Sequence, residues 1–167
     1  SFQPFSEALH LLVAGSSADM LASHVARCGG ALLPLVPELR QRVRHLEPPT
    51  ATDSETGELR LFSSVVDLLD RAAEEAPVLL VLDDLQWSNA PTLRLLAYVA
   101  RHLPANGTRI LVLALFRDAP VASEVDLGSF FADLRTDPSV DHIGLTGLDA
   151  EEVRELAHEI VRPLGDQ

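Results

Sequence analysis

Two carboxylates, Asp83 and Asp84, stand directly after Val78-Leu79-Leu80-Val81-Leu82, an unbroken aliphatic run. A run of that length and composition reads as a parallel strand buried on both faces. In open parallel sheets, ligand sites lie beyond the carboxyl ends of the strands. Asp83 and Asp84 are therefore expected where a hard cation or a water can be held. Carboxylate oxygens suit Mg²⁺, which takes one or two of them together with substrate phosphates. Arg117-Asp118 follows a second apolar run read as a buried strand, Ile110 to Phe116. If the two strands are parallel neighbours, Arg117 emerges at the same sheet edge as Asp83, where a guanidinium can stabilise a phosphate. Blander roles stand beside these. Asp83 and Asp84 could solvate a strand end and cap the next helix, Arg117 and Asp118 could form a surface ion pair, and Trp87 could fill the core.

These groups need elements to position them. Phe5, Ala8, Leu9 and Leu12 recur at helical spacing from Pro4 to about Val13, and Gly15-Ser16-Ser17 breaks that helix. A second helix is expected from Ala18 to Ala26, ended by Gly29-Gly30. A short helical stretch follows between Leu32 and Leu46, bounded by prolines. Glu47 to Gly57 reads as an exposed loop. From Glu58 to Ala76, Leu61, Phe62, Val65, Val66 and Leu69 form a strong amphipathic stripe that Pro77 terminates. After the acidic pair, Ser88 or Asn89 caps a helix with Pro91 in its first turn. Leu127 to Arg135 reads as a helix and Val140 to Leu145 as a third strand. Asp149 caps a last helix, Glu152 completes its capping box, and Val153, Leu156, Ala157 and Ile160 form its stripe. Strands alternating with helices from Glu58 onward mean an α/β layered fold. The chain is expected to be one partial domain, a helical segment and loop over 1–57 and an α/β core over 58–167.

Composition narrows the function. The 167 residues carry a net charge of -12, and all 13 basic side chains are Arg. An acidic surface repels phosphate backbones, so direct nucleic-acid contact by this segment is not expected. Arg in place of Lys points to a GC-rich bacterial genome. No apolar run approaches the roughly 18 residues that span a bilayer, and the N-terminus lacks a signal-peptide layout. Membrane contact is not expected; a cytoplasmic location is. Cys28 is the single cysteine, which fits a reducing compartment and reads as a small buried hydrophobe. The six histidines show no metal-ligand spacing and read as surface or cap residues. Asn106-Gly107-Thr108 reads as a turn before a strand.

The stretch Leu79 to Pro91 resembles the Walker B segment of signalling ATPases with numerous domains (the STAND group), above all the ATPase module of large LuxR-type bacterial regulators. Their usual form is an aliphatic run, Asp-Asp, Leu-His/Gln-Trp, then a polar stretch opening a helix. Phe2 to Leu9 is similar to the segment after that module's second strand. Leu113 to Asp118 resembles its sensor strand, and Leu145 to Val153 a characteristic helix start. The resemblance implies a P-loop NTPase three-layer fold binding ATP and Mg²⁺. It implies that Asp83 holds Mg²⁺, directly or through water, that Asp84 polarises the attacking water, and that Arg117 senses the γ-phosphate.

One departure is chemical. Such modules need Gly-x-x-x-x-Gly-Lys-Ser/Thr to cradle the phosphates, and this chain has no Lys. The chain is expected to begin after the module's first two strands and to stop before its regulatory and output domains. The first strand of the family's sheet would lie between the sensor strand and Val140 to Leu145. A gap, a rearrangement or pairing with another chain is expected there, and self-association through an exposed sheet edge follows. The expected function is a piece of an ATP-binding or hydrolysing regulatory switch, inactive and without cofactor by itself. The alternative is a degenerate module serving interaction or oligomerisation without nucleotide. A phosphorelay receiver would need a Lys after a later strand, and a serine hydrolase would need a Gly-x-Ser-x-Gly elbow; neither is present.

Overall fold

In a computed structural model of the chain, the described residues are 2–43, 46, 54–103, 109–117 and 127–161. The elements in order are α1 (Gln3–Gly15), α2 (Ala18–Cys28), α3 (Leu39–Arg42), α4 (Ser54–Glu75), β1 (Val78–Leu82), α5 (Ala90–His102), β2 (Ile110–Ala114), α6 (Leu127–Leu134) and α7 (Ala150–Val161). The chain is helix-rich around a two-stranded parallel sheet, consistent with an α/β fold. The strands pair in register, Val78 beside Ile110 through Leu82 beside Ala114.

Local chemistry accounts for most boundaries. Pro4 opens α1, where its missing N–H costs nothing. The Arg42 guanidinium donates to the carbonyls of Val13, Ala14 and Ser16, satisfying acceptors that the end of α1 leaves open. Ser17 caps α2 by accepting the Met20 N–H. Gly29 ends α2 at φ 58°, ψ -141°, a conformation that any side chain would strain. Between Leu32 and Leu39, Pro34 and Pro37 break the backbone into tight turns. Four leucines and Val36 are still driven into the core there.

That core joins Phe5, Leu9 and Val13 of α1 to the stripe of α4, the inner residues Leu80 and Leu82 of β1, and Leu95, Leu96 and Val99 of α5. Phe116 stacks on Phe131 with ring centroids 4.1 Å apart, holding α6 beside the end of β2.

Several expectations are corrected. The sheet is buried on one face only. Leu79 is 59% exposed and its register partner Leu111 58% exposed, with Val81 and Leu113 beside them. A strand's side chains alternate between faces, and α4 with its neighbours covers just one. Val140 to Leu145 forms no strand; Asp141 to Leu145 are exposed, Val140 is half-buried, and none of them joins a ladder among the described residues. Among the described residues no five-stranded central sheet forms. The apolar stripe of α7 is also not buried: Val153, Leu156 and Ile160 are exposed. Residues 54–57, read as loop, are the first turn of α4. The turn at Asn106-Gly107-Thr108 and the loop over 47–53 lie outside the described residues.

Candidate functional site

The parallel pairing of β1 and β2 brings the acidic pair and Arg117 to the same end of the sheet. The ladder continues past the strands. Leu115 donates its N–H to the Leu82 carbonyl at 2.8 Å, and Leu85 donates to the Leu115 carbonyl at 3.0 Å. These two bonds fix the loop that carries Asp83 and Asp84 against the segment that carries Arg117.

Within that loop the backbone turns sharply. Asp84 takes a left-handed conformation, φ 55° and ψ 36°, which Asp tolerates better than most residues. The Asp83 carboxylate accepts the Asp84 N–H at 2.7 Å and steadies the turn. A single 3₁₀ turn over Leu85–Trp87 follows. Leu85 points into the core and anchors it, while both carboxylates remain exposed.

Sequence reasoning missed the role of Gln86. Its side chain is 2% exposed. Its Nε2 donates to Asp84 Oδ1 at 2.6 Å, and its Oε1 accepts the backbone N–H of Arg117 at 3.2 Å. The sequence signals were a polar residue between two large apolar ones and its place in the Leu-His/Gln-Trp pattern, neither of which told its partners. Burial made both amide ends seek partners.

Trp87 is not core filling; it is 74% exposed. It lines a groove of about 920 Å³ together with Phe2, Pro4, Leu79, Val81, Asp83, Asp84 and Ser88. The cap of α5 is Asn89, whose Oδ1 accepts from both N–H and Oγ1 of Thr92. Thr92 Oγ1 in turn accepts the N–H of Phe2 at 3.0 Å, tying the start of the chain to the groove wall. Arg117 is exposed and is not among the groove-lining residues. Asp118 lies outside the described residues.

The groove thus presents oxygen donors of the kind a hard divalent cation takes. The chain has no Lys to hold phosphates.

A second cluster was not legible in spacing. His24, read as a surface or cap residue, is fully buried, and Cys28 is half-buried beside it. Their ligand atoms and that of Asp67 lie within 4.8 Å of one another. Asp67 is already engaged, by His24 Nδ1, Arg27 Nε and Arg71 Nε, each at 2.9 Å. Burial, then the Asp67 charge, pushes the Cys28 thiol above its ordinary range. The cluster is a hydrogen-bonded seam between α2 and α4.

No curated protein and no solved structure matches the chain. A protein-family model described as the AAA ATPase domain matches residues 1–113. That span contains Asp83, Asp84, Gln86 and nearly all of β2, and stops short of Arg117. The chain belongs to the AAA ATPase domain family.

Proposed function

We propose that the chain contributes the acidic, cation-holding part of an ATP-dependent regulatory switch. The observation that carries this reading is the pair Asp83 and Asp84 at the carboxyl end of β1, lining a groove, in a chain of the AAA ATPase domain family. Asp83 would hold Mg²⁺, directly or through water. Asp84 would orient and polarise the attacking water. Arg117 would meet the γ-phosphate. When bound, Mg²⁺ would supply positive charge to offset the negative charge that develops during phosphoryl transfer. The carboxylates fit such a cation. The phosphates find no Lys among these residues, so no step of ATP hydrolysis is assigned to them alone. The resemblance to STAND modules supports a setting in a cytoplasmic bacterial signalling protein or transcription regulator. Among the described residues, no helix is long and apolar enough to cross a membrane.

A titration tests this. Mn²⁺, standing in for Mg²⁺, should bind the chain weakly and saturably, and Asp83→Asn should abolish that binding. Mg·ATP should give no saturable micromolar heat with either protein. Mn²⁺ binding that is absent, or indifferent to Asp83→Asn, would sink the reading.

The exposed face formed by Leu79, Val81, Leu111 and Leu113 favours a second reading. In it the module has lost nucleotide and serves self-association, through that face or the open edges of the two-stranded sheet.

A further inference from the structure

The geometry points to Gln86 as a positioning residue that couples the Asp84 carboxylate to the segment carrying Arg117. This rests on reading Asp84 and Arg117 as two ends of one site. A side-chain amide has a donor end and an acceptor end, and here they are spent on different elements. Nε2 donates to Asp84 Oδ1 at 2.6 Å, and Oε1 accepts from the Arg117 backbone at 3.2 Å. The amide cannot rotate to another partner without losing both bonds, and at 2% exposure water does not replace them cheaply.

The backbone around the amide makes the coupling directional. Leu85 is held to Leu115, and Leu115 to Leu82, so neither end of the bridge can drift independently. Asp84 sits in a left-handed turn, and Asp83 accepts the N–H of that turn. A cation drawn to these carboxylates would compete for Asp84 Oδ1 and pull on Nε2. The same amide would then shift its hold on the Arg117 N–H. Occupancy of the acidic loop is thereby reported at the segment proposed to meet phosphate, 31 residues further along the chain.

Amide hydrogen exchange on the 167-residue chain tests this without nucleotide. The Arg117 N–H should exchange about tenfold faster in Gln86→Leu than in the parent chain, the usual size of one lost hydrogen bond. It should also exchange faster in Asp84→Ala, although Asp84 itself does not bond Arg117. Gln86→His, whose neutral ring keeps one donor and one acceptor, should restore part of the protection. The Leu115 N–H, bonded to Leu82, should stay protected in all three and certifies the fold. Wild-type protection of Arg117 in Asp84→Ala, with Leu115 protected, would overturn the coupling. So would a histidine variant no better than leucine. The Mn²⁺ titration separates the two ideas. Loss of Mn²⁺ binding removes the site reading, whereas the exchange pattern alone decides the coupling.

Discussion

His24 Nδ1 lies 2.9 Å from Asp67 Oδ2 and so joins the buried face of α2 to α4. With Nδ1 donating to the carboxylate, the neutral ring leaves Nε2 to accept from Ser64 Oγ at 3.4 Å. Asp67→Ala removes the acceptor from His24 and from Arg71, which is itself mostly buried. The contact with the exposed Arg27 contributes little, since water competes for it. The expected loss is ~1–3 kcal/mol. It should appear as a lower urea midpoint at unchanged slope. An unchanged midpoint would show that the seam is incidental to stability.

The same seam sets a pH dependence. Burial holds the His24 imidazole below its ordinary value of 6.5, outweighing the attraction of Asp67. The unfolded chain therefore takes up a proton at His24 before the folded chain does. Stability is complete above pH 6.5 and declines as pH falls from there toward the depressed folded value. Burial alone would raise the Asp67 carboxyl, but hydrogen bonds from His24 and Arg71 hold it below its ordinary 3.8. Its contribution is present above that value and is lost as pH falls through the depressed one. Both groups make acid destabilising, in separate windows. Between pH 7.5 and 5.5 the urea midpoint should fall more for the parent chain than for His24→Gln, which cannot titrate there. Equal falls would assign the upper window to another group.

The exposed sheet face makes its own expectation. Leu111 and Leu113 stand beside Leu79 and Val81 on the side that the helices do not cover. If that face drives self-association, the parent chain should sediment with a concentration-dependent mass. Leu111→Thr with Leu113→Thr should shift it toward monomer, since Thr keeps strand propensity while shedding apolar area. A parent chain that stays monomeric across the concentration range would remove the interaction reading.

How much of this was legible depended on whether the signal was local. Pro4, Pro91, Gly29 and the Asp149 box act on their own turn, and the helices they bound were readable from order and spacing. The aliphatic runs announced β1 and β2, and parallel pairing followed from the helix between them. What covers a strand is not local. Leu79 and Leu111 have the composition of doubly buried positions and yet face outward, because burial depends on which elements pack there. Val140 to Leu145 carries strand-forming residues with no partner strand beside it among the described residues, and propensity without a ladder does not make a strand. His24 and Gln86 were misjudged or missed for one reason. A polar residue can be buried once a partner from elsewhere satisfies it, and Asp67 and Arg117 are 43 and 31 residues away.

The start of α7 is where a local signal is expected to carry nearly all the weight. Asp149 Oδ1 accepts the N–H groups of Glu151 and Glu152, and Glu152 Oε2 accepts the Asp149 N–H, closing the box read from sequence. Those N–H bonds, from Glu152 first and then Glu151, hold the Asp149 carboxyl below its ordinary range. Every described side chain of α7 is exposed, so packing lends this 12-residue helix little support. Isolated helices of that length are marginal in water. Asp149→Ala should shift the helix–coil balance of α7 by about fivefold toward coil, the usual size of a lost N-cap. Amide exchange over 150–161 should accelerate by that factor while β1, β2 and α4 stay protected. The cap should likewise weaken as pH falls through the depressed Asp149 value and hold above the ordinary carboxylate range. If α7 stays protected in Asp149→Ala, its exposed stripe has found a partner surface in solution, and Val153→Ser with Leu156→Ser should then release it.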